Sequence, residues 1–139
     1  MKVSNADHIA HVEVRYAETD AMGIVHHSVY AVWFEQARTE LLRTHGCPFH
    51  ILEQEGYASP VLKIETEFLA PCHYGEIADI HITIAREDRL RCRFFYELSV
   101  NGKLSTGGSS LHLYTKNCTP CRKAPEKFLK AFFPEELET

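Results

Sequence analysis

The 139-residue chain carries 45% hydrophobic side chains, enough to bury a core without disulfides or a structural metal. Its formal net charge of −4, with both signs spread along the chain, excludes the basic footprint of a nucleic-acid-binding protein. No apolar run approaches the roughly 18–20 residues of a membrane helix, and Met1 to His8 lack the apolar stretch of a signal peptide. The five cysteines are odd in number and unevenly spaced, so a cytoplasmic protein is expected.

In chain order, His11 to Tyr16 alternates as a strand with Val12 and Val14 on one face. Ala17 to His27 holds no period and reads as a loop. From Ser28 a helix is predicted: Val29, Trp33, Ala37 and Leu41 recur every four residues, flanked by Tyr30, Phe34 and Leu42. Ser28 is placed to cap it, and His45-Gly46 to end it. Pro48 to Gln54 suits a short second helix, stopped at Gly56.

Strands follow. Leu62, Ile64, Thr66 and Phe68 alternate up to Ala70-Pro71, and Ile80, Ile82 and Ile84 share a face. The clearest alternation runs from Leu90 to Val100, and Asn101-Gly102 then signals a two-residue hairpin. In the returning strand, Lys103 to Tyr114, residues 106–110 have almost no side-chain bulk, as where another backbone or a ligand comes close. Pro125 opens a terminal helix containing Phe128, Leu129 and Phe132. With no repeat, linker or low-complexity tract, residues 1–139 read as one domain. One long helix cannot cover both faces of an antiparallel meander, so the other face is solvated or meets a second copy.

Reactive side chains are densest between Tyr16 and Tyr30, in the loop entering the long helix. The start of that helix offers unpaired N–H groups and a positive dipole end, suited to polarising a carbonyl or holding an oxyanion. Asp20 lies seven residues before His27, and Gly23 gives the chain freedom to fold the carboxylate back towards that point. Either Tyr16 or Tyr30 has a hydroxyl that could orient Asp20 or a water. Glu35 is the rival carboxylate, but its spacing to Arg38 suits a helical ion pair. Cys118-Thr119-Pro120-Cys121 has no second cysteine pair at zinc spacing and no βαβ context for redox work. No His-Glu-x-x-His motif is present, so no metal is expected.

Val14-Arg15-Tyr16, Thr19-Asp20, Gly23-Ile24-Val25, His27, Tyr30 and Trp33-Phe34-Glu35-Gln36-Ala37-Arg38 together resemble the 4-hydroxybenzoyl-CoA thioesterase family, most nearly its YbgC-like acyl-CoA thioester hydrolase branch. The likeness extends through Phe68-Leu69-Ala70-Pro71 to Gly107-Gly108. It implies an α+β hotdog fold, an antiparallel sheet wrapped around one long helix, in homodimers or homotetramers with active sites at the dimer interface. It implies hydrolysis of acyl-CoA, or of an acyl-carrier-protein thioester, to a free acid and a thiol without a cofactor. Asp20 would be general base or nucleophile, and the backbone N–H at His27 would polarise the carbonyl. Tyr16, Gly23, Tyr30 and Lys63 are the expected substrate-binding residues; Lys63, Arg86, Arg89, Arg91 and Arg93 are candidates for the phosphates of coenzyme A. A hotdog dehydratase on a hydroxyacyl thioester, or a non-catalytic acyl-thioester binder, are the alternatives.

Overall fold

Apolar residues at every second position bury one face of a five-stranded antiparallel sheet in the computed structural model, which describes residues 1–138. Thr139, the last residue of the expected domain, lies outside the described residues. The strands are β1 (Lys2–Glu13), β3 (Val61–Phe68), β4 (Ile77–Arg86), β5 (Arg91–Val100) and β6 (Lys103–Leu113), in spatial order β1-β4-β5-β6-β3. Ala10 and Val12 of β1, Ile80, Ile82 and Ile84 of β4, and Cys92, Phe94, Tyr96 and Leu98 of β5 all face inward.

The long helix α1 (Val29–Thr44) lies on that face and buries Tyr30, Trp33, Phe34, Ala37, Leu41 and Leu42, the predicted stripe except for Val29, which is half-buried at the helix start. A short α2 (Phe49–Gln54) follows after Pro48, as expected. Three two-residue strands, β2 (Tyr57–Ala58), β7 (Thr115–Lys116) and β8 (Thr119–Pro120), form a second small sheet. The helix α3 (Glu126–Phe132) then closes the core with Phe128, Leu129 and Phe132.

Asn101 and Gly102 take φ of 51° and 77°, the left-handed pair that the two-residue hairpin between β5 and β6 requires. Other expectations shift. The first strand begins at Lys2 and ends at Glu13, because pairing with β4 carries a polar segment into the ladder while Tyr16 to Glu18 turn into a 3-10 helix. Leu90 is exposed in the turn before β5 rather than on it. Ser28 stands at the N-cap of α1 but makes no capping bond. Its φ and ψ of −70° and −20° are already helical, which turns the hydroxyl away from the first-turn amides.

Candidate active site

Between β1 and α1 the chain makes a tight hairpin. Thr19 bridges Val25, the Asp20 N–H donates to the Ile24 carbonyl at 2.8 Å, and the Gly23 N–H returns to the Asp20 carbonyl at 3.0 Å. Gly23 sits at φ 77°, where a side chain would be strained, so the reversal depends on glycine. Asp20 Oδ1 accepts the Met22 N–H at 2.8 Å, an Asx turn that fixes the carboxylate. Among the described residues, Oδ2 has no hydrogen-bond partner.

A cleft of about 320 Å³ opens beside this carboxylate, with Asp20, Ile24, His27 and Tyr30 on one side and residues 68–71 on the other. The entry to α1 is closed by His26, not Ser28. Its carbonyl accepts the Val29 N–H at 3.0 Å and its Nδ1 accepts the Ser28 N–H at 3.2 Å. His27 is exposed, its ring stacked on that of His26 with centroids 4.1 Å apart. Its backbone N–H has no acceptor among the described residues. Asp20, with one unpaired carboxylate oxygen, and His27, with an unpaired amide just before α1, therefore both line one cleft, and such groups are the parts that hydrolytic acyl chemistry needs.

Of the other predicted site residues, Tyr30 lines the cleft, its ring edge-on to that of Phe68 with centroids 5.3 Å apart. Burial pushes its phenol well above the usual value, with Cys72 and Thr106 as the neighbouring groups that act on it. Tyr16 is exposed, edge-on to Tyr74 with centroids 5.7 Å apart, and lies outside the cleft. Lys63 is on β3, also outside, and pairs with Glu65 at 2.7 Å. Arg86, Arg91 and Arg93 are paired with Glu136, Asp88 and Glu87 respectively. Arg89 shares a surface pocket with Arg122 and Lys123 at the end of β4 remote from Asp20.

Glu35 meets Arg38 at 3.8 Å, as the helical spacing predicts. Both border a second cavity, of about 350 Å³, between the later half of α1 and the start of β3. Behind it Arg38 donates to the Tyr96 hydroxyl at 2.9 Å, which meets Ser110 Oγ at 2.6 Å. His112 Nε2 lies 2.8 Å from the same Ser110 oxygen. Cys118 occupies the β7–β8 turn at φ 67° and is exposed, while Cys121 lies beside Tyr114.

One residue escaped the sequence reading. Glu18 is a carboxylate only 8% exposed, accepting the indole N–H of Trp33 at 2.9 Å and the Arg15 N–H at 2.8 Å. Its acidic neighbours in sequence gave no hint, because the Trp33 contact spans fifteen positions.

Residues 14–136 match the model of the thioesterase-like superfamily, and the chain belongs to that family. Its fold is the hotdog, an α+β arrangement of antiparallel sheet and packed helix. YneP of Bacillus subtilis, provisionally named an acyl-CoA thioesterase, is 38% identical over 87% of this chain and 86% of its own length. The acyl-CoA thioester hydrolase YbgC of Escherichia coli is 38% identical over a shorter stretch, 52% of this chain and 54% of that protein. The crystal structure of the DHNA-CoA thioesterase of Staphylococcus aureus superposes with a TM-score of 0.81 at 32% identity, covering 95% of this chain and 87% of that one.

Proposed function

We propose that this chain hydrolyses acyl-CoA thioesters, with Asp20 as the reacting carboxylate and the His27 N–H as donor to the developing oxyanion. The observation that carries the proposal is the cleft lined by both Asp20, oriented through Oδ1 by the Met22 amide, and His27, the residue with an unpaired amide at the entry to α1. With Asp20 as base, Oδ2 takes a proton from water and the hydroxide adds to the thioester carbonyl carbon. The oxyanion is held at the helix start, the C–S bond breaks, and the thiolate leaves with the proton that Asp20 carries. With Asp20 as nucleophile, its oxygen adds to the carbonyl carbon and the C–S bond breaks, giving a mixed anhydride and the thiolate. Water then cleaves the anhydride to the free acid and the Asp20 carboxylate, and its released proton goes to the thiolate. The names of YneP and YbgC support the acyl-CoA substrate. An acyl-carrier-protein thioester presents the same bond and stays within the proposal.

A second copy belongs to this reading. β3 is an edge strand, and its apolar residues Val61, Leu62, Ile64 and Phe68 are 43–53% exposed. Pairing two β3 edges would cover them and wall the cleft that ends at Phe68, giving a homodimer, with a homotetramer as a pair of such dimers. Lys63 on that edge, and Arg89 with Arg122 and Lys123, would then meet the partner's coenzyme A. Gly23 shapes the loop and Tyr30 the wall, while Tyr16 stands at the periphery beside Tyr74. The cytoplasmic location expected from the cysteines is kept as part of the proposal; no helix among the described residues is long and apolar enough to cross a membrane.

The test is free-thiol release from aliphatic and aromatic acyl-CoAs by wild type and Asp20→Asn. Turnover by wild type with a loss of about a hundredfold or more in the variant supports the assignment. A wild type inert on these and on an acyl-carrier-protein thioester, or an active Asp20→Asn, overturns it.

A further inference from the structure

We infer that Glu18 is a positioning residue: its buried side chain pins the Asp20 hairpin to the start of α1, and hydrolysis depends on that pin although Glu18 does not line the cleft. The inference rests on the hydrolase reading above. Glu18 joins three pieces of chain. Its Oε1 accepts the Arg15 N–H at 2.8 Å, at the end of the first strand segment. Oε2 accepts the indole N–H of Trp33, inside α1, at 2.9 Å, with the Arg15 guanidinium at 3.4 Å. The Glu18 carbonyl accepts the His26 N–H at 2.9 Å, immediately before the amide assigned to the oxyanion.

Asp20 follows two residues later on the same arm. The other arm of the hairpin is tied elsewhere, by the Val25 N–H to the Cys72 carbonyl at 2.9 Å and by the Ile24–His73 bridge. Without the Glu18 side chain, the outgoing arm would keep its backbone ties and the local Thr19 hydroxyl bond to the Tyr16 carbonyl, and the helix would lose the side-chain grip of Trp33 on the segment that carries Asp20. An apolar residue would fill this buried site without the cost of desolvating a charge. A carboxylate there is instead bound by two N–H donors in fixed directions, which sets orientation as well as packing. Burial raises the carboxyl pKa, but the Arg15 amide, the Trp33 indole and the Arg15 side chain outweigh it, so Glu18 stays ionised in the folded protein.

The experiment compares wild type, Glu18→Gln, Trp33→Phe, the double variant and Asp20→Asn by thiol-release kinetics and by amide hydrogen exchange across residues 19–27. In Glu18→Gln, kcat should fall about tenfold to a hundredfold, because a displaced reacting group costs that much, while KM changes by less than about threefold. Exchange of the Asp20 and His26 amides should quicken. The double variant should lose no more than the worse single one, since both act through one bond. Unchanged exchange, unchanged kcat, or losses that multiply in the double variant would overturn the inference. Should Glu18→Gln not fold, Trp33→Phe removes one donor only and decides by the same two readouts. An active Asp20→Asn would sink the hydrolase reading by itself, and the exchange data would still decide whether Glu18 holds the hairpin.

Discussion

The ring of Phe34 lies so close to Gly108 that a β-carbon there would stand 3.0 Å from it, and 2.9 Å from the Glu65 carbonyl oxygen. Phe34 also stacks on Tyr96, with ring centroids 4.3 Å apart. The helix and β6 therefore meet with no room for a methyl group, whereas Gly107 faces open space. Gly108→Ala should lower stability by about 1–3 kcal/mol, the usual cost of overpacking a tight core. Gly107→Ala should change it by less than about 1 kcal/mol. Denaturant melts of the two variants settle the contrast, and equal losses would refute the packing account.

Acid should destabilise the fold through His112. Burial, followed by the Arg38 charge, lowers its pKa from 6.5 to about 4. As pH falls below 6.5 the unfolded chain takes up a proton that the folded chain refuses, so stability is lost between those two values. The full shift corresponds to about 3 kcal/mol by pH 4. Melting temperatures of wild type and His112→Gln from pH 7 to pH 4.5 should converge as the pH drops. Parallel curves would show that another group carries the acid sensitivity.

The two halves of the proposed site should respond differently to side-chain loss. In the proposed mechanism the backbone N–H of His27 holds the oxyanion, and Ala retains that N–H. His27→Ala should therefore keep kcat within about tenfold, against a loss of about 10²–10⁴ for Asp20→Asn. Should the two variants lose activity equally in thiol release, the imidazole would have to take part in the chemistry.

Helical and hairpin signals were legible wherever local chemistry decides structure. The α1 stripe and Asn101-Gly102 appear where period and turn residues place them, because each is fixed by contacts close in sequence. β1 was half hidden. Lys2 to Ile9 is polar and mostly exposed, and becomes a strand only because β4 offers it a ladder, with a shift in register between Val3 and Asp7. At the site, Asp20, Gly23 and His27 were legible from the motif. Glu18 was not, since its meaning lies in the Trp33 indole that the fold brings to it. The surroundings of the Tyr30 hydroxyl were hidden for the same reason: Cys72 and Thr106 come from distant parts of the chain, and nothing near Tyr30 in sequence announces them.

If two copies pair through β3, a charge on its inward face should separate them. Ile64 is 50% exposed, and it shares a face with Phe68, which lines the cleft. In the isolated chain an Ile64→Lys side chain would stay in water, so folding should be little affected. In the pair it would be desolvated against the facing β3 strand, where an unpaired buried charge costs several kcal/mol. Sedimentation should therefore show Ile64→Lys shifted towards monomer while its melting transition remains cooperative. Thiol release should fall with the loss of the pair, because the cleft at Phe68 would lose the wall supplied by the second copy. A variant that stays paired would point to another surface of association, and one that is monomeric yet fully active would show that a single chain builds the whole site.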